Sequence, residues 1–230
     1  MTMQRILVWD LPTRLFHWLL AASFAGAWLT AESERWRDVH VVLGYTFAGL
    51  IAFRLLWGLV GSRHARFSSF VKGPSAVASY LRSLLGASPE HHVGHNPAGG
   101  WAVLALLALG MITALSGFMT YNDQGGDLTE QLHEAAAGAM LALVLVHIAA
   151  VVLSSLLHRE NLVLAMITGL KRGLPLQAIR RPRWIAGTAL AAVVAGFLSA
   201  AYQGALPDIV QGNANVERTA HYHHHDHDDH

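Results

Sequence analysis

The chain has 230 residues, 53% of them hydrophobic and 13% charged, with a formal net charge of +1. The apolar share exceeds the roughly 45–50% of ordinary soluble domains, so lipid is the expected solvent, and the balanced charge gives no reason to expect a nucleic-acid partner. The absence of cysteine excludes disulfides, thiolate metal sites and C-x-x-C-H haem attachment.

A helix needs about 20 residues to cross about 30 Å of hydrocarbon. In chain order, residues 11–31 form the first such run, interrupted by Arg14 and His17, and 39–61 form the second, with His40 at its start and Arg54 inside. Residues 100–121 and 133–157 give two more, and 184–205 give a fifth that is rich in Ala and Gly. The first run follows a short basic segment in the manner of a signal peptide, but its length, His17 and Trp18 argue against cleavage. Between the second and third runs, Val77, Leu81, Leu84 and Leu85 fall at helical spacing beside Arg82, which predicts a helix over 74–85 lying on the membrane surface. Residues 162–170 are assigned the same role.

Lys and Arg favour cytoplasmic loops. Arg5 and Arg14 lie at the start of the first run, Arg63, Arg66, Lys72 and Arg82 follow the second, and Arg159, Lys171, Arg172, Arg180, Arg181 and Arg183 separate the fourth from the fifth. The loop over 122–134 carries Asp123, Asp127, Glu130 and Glu134 without a Lys or Arg. The expectation is a multi-pass protein of the bacterial inner membrane, with its N-terminus cytoplasmic and its C-terminus periplasmic.

Four histidines fall within or beside these runs: His17, His40, His133 and His147. An ionisable group at that depth is costly unless it serves a function or finds a partner. Taken singly, each could hydrogen-bond a neighbouring helix or sit in the wet interface. As a set they form a pattern. His133 and His147 are 14 residues apart, so they share a helical face and lie about 21 Å apart along the axis. The second helix descends from the same side as His133, which brings His40 to that level; the first rises from the other side and brings His17 to the level of His147. Paired imidazoles on neighbouring helices are what six-coordinate haem iron requires. The pairs are therefore His40 with His133 on the periplasmic side and His17 with His147 on the cytoplasmic side.

Arg54 follows His40 by 14 residues and reaches the cytoplasmic level, where no acid lies within a span, so a haem propionate is its expected partner. The alternative is that it snorkels to the surface. Gly44, one turn from His40, and Gly138, near His133, leave room for a flat macrocycle, although small residues also serve close helix packing. Met140 lies midway between His133 and His147 on the same stripe.

The stretches VWDLPTRLFHWLL, RDVHVVLGYTFAGLIAFRLLWGLVGSRHARFSSF and GHNPAGGW resemble the bacterial cytochrome b561 family and the related b-type cytochrome subunit of nickel-iron hydrogenases, over roughly residues 9–173. The resemblance implies a four-helix core holding two haems b, with ligands matching His17, His40, His133 and His147. It also implies electron exchange between membrane quinone and a partner protein or small periplasmic reactant. The fold expected is all-α and integral to the membrane: a dihaem four-helix bundle over 1–173 and a fifth transmembrane helix within 174–206. Residues 207–230 then form a disordered periplasmic tail.

Electron transfer between quinol and a periplasmic redox protein, such as a c-type cytochrome steered by Asp123, Asp127 and Glu130, is the leading reading. Superoxide oxidation coupled to ubiquinone reduction, a hydrogenase-type membrane subunit and a His-lined metal transporter are the alternatives. The tail HYHHHDHDDH has the composition of a divalent-metal site, and a quinone headgroup near His91 or His95 is conceivable.

Overall fold

The computed structural model describes residues 2–84, 86, 90 and 92–206, so His91 and the predicted metal-binding tail over 207–230 lie outside the described residues. Helix α1 (Leu11–Thr30) starts where the Asp10 side chain accepts the Thr13 amide at 2.9 Å, with Pro12 in the first turn where a missing N–H does no harm. A tight turn and one 3-10 turn at Glu34–Trp36 reverse the chain into α2 (Arg37–Val60), and the two form an antiparallel hairpin. Two short helices follow, α3 (Phe67–Phe70) and α4 (Pro74–Leu84); α4 is the amphipathic stretch expected from its spacing, with Tyr80 buried and Leu81 and Arg82 exposed.

Asn96 and Pro97 begin α5 (Pro97–Tyr121) in the way Asp10 and Pro12 begin α1. Helix α6 (Gly126–Leu157) begins two turns before the expected start at 133. Gly125, in the left-handed region at φ 89°, turns the chain directly out of α5, and Asp127 in the first turn suits the positive end of the helix dipole. Asp127, Glu130 and Glu134, expected on a loop, therefore ride on a helix. Its 32 residues reach about 48 Å, so these first turns extend past a hydrocarbon layer of about 30 Å. Helix α7 (Leu162–Thr168) and helix α8 (Trp184–Tyr202) complete the set.

Among the described residues, four segments are long and apolar enough to cross a membrane: Glu34–Val60, Pro97–Tyr121, Gly126–Leu157 and Trp184–Tyr202. The 20 residues of α1 have the length, but Arg14 and His17 dilute its apolar character. The all-α expectation also omitted a two-stranded antiparallel ribbon, β1 (Gln4–Leu7) paired with β2 (Leu170–Gly173) in the register Leu7 opposite Leu170. Gly169, at φ 81°, ends α7 and offers its carbonyl to the amides of Val8 and Trp9 at 2.8 and 3.1 Å, so the predicted surface helix over 162–170 stops at Thr168. The ribbon closes one end of the bundle over buried Ile6, Val8 and Trp9.

The α1–α2 hairpin meets the α5–α6 hairpin chiefly through α2 on α5, while α8 packs on α1. Small residues permit these approaches: a Cβ at Gly187 would meet Leu11 at 2.6 Å, and one at Gly110 would meet Ile51 at 2.9 Å. Helix α6 makes no comparable backbone approach to α1 or α2. A slot is left between them, bridged at mid-height by the packed side chains of Phe47, Ile51, Leu107 and Met140. The tightest joint is Gly58, where a Cβ would lie 2.0 Å from the Phe67 ring. Gly58→Ala must displace that ring, and we expect it to lower stability by about 1–3 kcal/mol, read as an earlier thermal unfolding transition in detergent.

Candidate functional site

The helix starts and spacings just described bring the predicted histidines to two levels of the slot. At the end opposite the ribbon, His40 in the first turns of α2 faces His133 of α6, with ring centroids 6.2 Å apart and planes at 81°. Each Nδ1 lies on a backbone carbonyl, His40 on Ala27 at 2.8 Å and His133 on Thr113 at 2.9 Å. A carbonyl only accepts, so each Nδ1 carries the proton and each Nε2 presents a lone pair. Two imidazoles bonded through Nε2 to one metal ion at about 2.0 Å have centroids about 6 Å apart, and a backbone acceptor on the other nitrogen is the usual orienting contact of a metal-ligating histidine.

The glycines around this pair divide by role. A Cβ at Gly44 or Gly138 would meet no atom within 4 Å, so both positions border open space of the kind a macrocycle needs. At Gly117 of α5 a Cβ would lie 2.7 Å from Cε1 and 2.8 Å from Nδ1 of His133, so glycine is what lets that ring reach Thr113. Met140, midway along α6, belongs to the apolar plug separating this level from the next.

The second level lies toward the ribbon. His17 of α1 has a buried Nδ1 with no hydrogen-bond partner, stands edge-on to Trp18 at 5.0 Å, and is within electrostatic reach of half-buried His147. Arg54 does not snorkel: it is 3% exposed, its guanidinium lies 4.9 Å over the Phe67 ring and 5.8 Å from that of Phe70, and Nη1 has no partner. No acid lies within a span at this level, but one stands just outside. Asp10, fully buried just ahead of α1, lies within electrostatic reach of Arg54, yet its carboxylate is occupied by the Thr13 amide and by Trp57 Nε1 at 3.1 Å. Arg54 thus retains an unmet need for an anion.

His95 also belongs to this level and was not predicted to. It sits just before α5 with its ring 4.5 Å from Phe70 and 4.8 Å from Trp9, its Nδ1 buried and unpartnered, and Arg54 and His147 within electrostatic reach. Burial, then the positive charges of Arg54 and Lys171, push its pKa down to about 3. His95 is therefore neutral near pH 7, while in the unfolded chain it binds a proton below about pH 6.5. Its contribution to stability is full above that value and is lost as pH falls toward 3. With no anion bound beside it, we expect about 2–3 kcal/mol of destabilisation between pH 7 and 4.5 and a smaller loss in His95→Gln, read from unfolding midpoints of the ligand-free protein at the two pH values.

The family model described as prokaryotic cytochrome b561 matches residues 8–169, a range that contains all four histidines, Arg54 and His95 and ends before α8. The chain is similar to proteins named probable Ni/Fe-hydrogenase B-type cytochrome subunit. The one from Rhizobium leguminosarum bv. viciae is 24% identical over 213 residues, covering 72% of this chain and 88% of the relative. Those from Cupriavidus necator and Azotobacter vinelandii are 26% and 25% identical, covering 70% and 71% of this chain and 85% and 87% of the relatives. No solved structure matches significantly.

Proposed function

Since the chain belongs to the prokaryotic cytochrome b561 family and is therefore a b-type membrane cytochrome, we propose that it binds two haems b at the two levels of the slot and passes electrons between membrane quinone and a redox protein. The observation that carries this reading is the crossed His40–His133 pair, 6.2 Å apart with the Nδ1 of each ring on a backbone carbonyl. His40 and His133 would hold one haem and His17 and His147 the other. Haem b supplies one-electron redox chemistry when bound.

The chain's own residues do the rest. Ala27 and Thr113 hold the imidazoles of the first pair in one tautomer. Phe47, Ile51, Leu107 and Met140 keep water out between the levels, while Gly44 and Gly138 leave room at the first. At the second, Arg54 and His95 would receive an anionic substituent such as a propionate, with Asp10 and Trp57 bracing that end. The dihaem core is assigned to 1–173, with α1 as one of its spans and α8 as a fifth. Concentration of Lys and Arg at the ribbon end supports a cytoplasmic placement for it, in the inner membrane.

The opposite end then faces the periplasm with Asp123, Asp127 and Glu130 exposed, a surface suited to a basic partner such as a c-type cytochrome. The names of the relatives favour a second reading equally, in which the partner is a Ni/Fe-hydrogenase. Two measurements separate them. In nanodiscs, quinol-reduced protein should pass electrons to a basic c-type cytochrome, and Asp127→Asn with Glu130→Gln should slow that step about tenfold at low salt and flatten its salt dependence. If the tagged chain instead retains a Ni/Fe-hydrogenase from native membranes and the double variant leaves the kinetics unchanged, the hydrogenase reading replaces the first.

A further inference from the structure

The ribbon end holds a second feature that electron transfer does not use. Beside the start of α8 lies a cavity of about 570 Å³ bordered by Arg63, Arg180, Arg181 and Arg183, with Leu176 and Ile179 also in its wall and no carboxylate lining it. Arg63 is anchored by donating to the Leu176 carbonyl at 3.1 Å. Among the described residues, Arg180, Arg181 and Arg183 make no side-chain hydrogen bond or ion pair, and all three are exposed. The described acids at this end are committed elsewhere: Asp10 to Thr13 and Trp57, Glu160 to Lys171 at 3.3 Å and the Arg172 amide at 3.0 Å, and Glu90 beside His92 at 3.5 Å.

Four guanidiniums around one hollow repel one another and want a counter-anion, and the planar fork of arginine matches phosphate oxygens two at a time. The apolar surroundings say which phosphate. Leu176, Trp184 and Ile185 are 73, 60 and 87% exposed beside the arginines, and Trp184 opens an apolar helix long enough to span a membrane. The basket therefore sits at headgroup height, where tryptophan is favoured, with a hydrocarbon-facing surface directly adjoining it. A zwitterionic headgroup would bring its own cation among the four arginines.

We propose that this basket is a binding site for an anionic phospholipid, its phosphate held by Arg63, Arg180, Arg181 and Arg183 and its acyl chains lying against Leu176 and Ile185. The site requires membrane insertion but is independent of the haem assignment.

The test uses the full chain, delipidated in non-ionic detergent, with native mass spectrometry counting bound lipid and a thermal melt reading its effect. Cardiolipin and phosphatidylglycerol should stay bound and raise the melting temperature by several degrees, whereas phosphatidylcholine and inorganic pyrophosphate should do neither. Arg180→Gln with Arg181→Gln should weaken anionic-lipid retention at least tenfold, and Arg66→Gln with Arg82→Gln, exposed cations at the same end, should leave it intact. Arg181→Gln alone, expected to weaken retention severalfold, provides the readout if the double variant fails to fold. Equal retention by the Arg180/Arg181 variant, equal binding of phosphatidylcholine, or equal stabilisation by pyrophosphate would overturn the assignment, the last by making the basket a site for free anions.

Discussion

Replacing His40 or His133 with alanine should remove one haem per chain and leave the other, and alanine at His17 or His147 should remove the second and leave the first. The expectation rests on separation: His133 and His147 stand 14 residues apart on α6, about 21 Å along its axis, with Phe47, Ile51, Leu107 and Met140 packed between their levels. Within a level the two substitutions act on one binding event, so His40→Ala with His133→Ala should cost no more haem than either alone. Across levels the losses should add, and His40→Ala with His17→Ala should be colourless. The pyridine haemochromogen assay on purified protein reads all of these, and partial recovery on adding free imidazole would separate loss of a ligand from loss of the fold. Equal loss of both haems from every single variant would contradict the two-level arrangement.

Arg54→Met should have the next largest effect, confined to the level of His17 and His147. The guanidinium is buried over Phe67 and Phe70 with Nη1 unmet, and Asp10 is already engaged. Removing this positive charge makes the oxidised, more positive state of a nearby haem easier to hold, so its midpoint potential should fall. A Coulomb energy of about 1–2 kcal/mol at an effective dielectric of about 20 corresponds to roughly 40–90 mV for one electron. Potentiometric titration should show one haem displaced by that amount and the other unmoved, with Arg54→Lys retaining most of the potential. A shift of both haems together would mean that Arg54 acts through the fold.

Much of this architecture is written locally. The long apolar runs predict the major helices because lipid demands them, and the 14-residue spacing places His133 and His147 on one stripe of α6 because the helical period returns to nearly the same face. Juxtapositions that depend on the far partner are not legible. Nothing near Gly117 announces that a ring from α6 will press on it. His95 lies in a loop ahead of a span, where the sequence offers no sign of burial; only the packing of Phe70 and Trp9 against its ring shields it and buries its Nδ1. Asp10 had a local signal, the Asp-x-Pro start of a helix, which predicts a cap but not that Trp57 will close over it. The ribbon is not legible because each strand has only four residues and its partners lie more than half the chain apart. The early start of α6 follows from the left-handed Gly125, a feature of the turn and not of the apolar pattern.

Imidazoles gripping iron at two heights of one bundle are the core of the account, and low-temperature electron paramagnetic resonance of the oxidised wild-type protein examines them most directly. The expected spectrum holds two low-spin ferric haems per chain, one of them strongly anisotropic because the imidazole planes of His40 and His133 cross at 81°. A single signal, a predominantly high-spin spectrum, or no haem signal at all would contradict it.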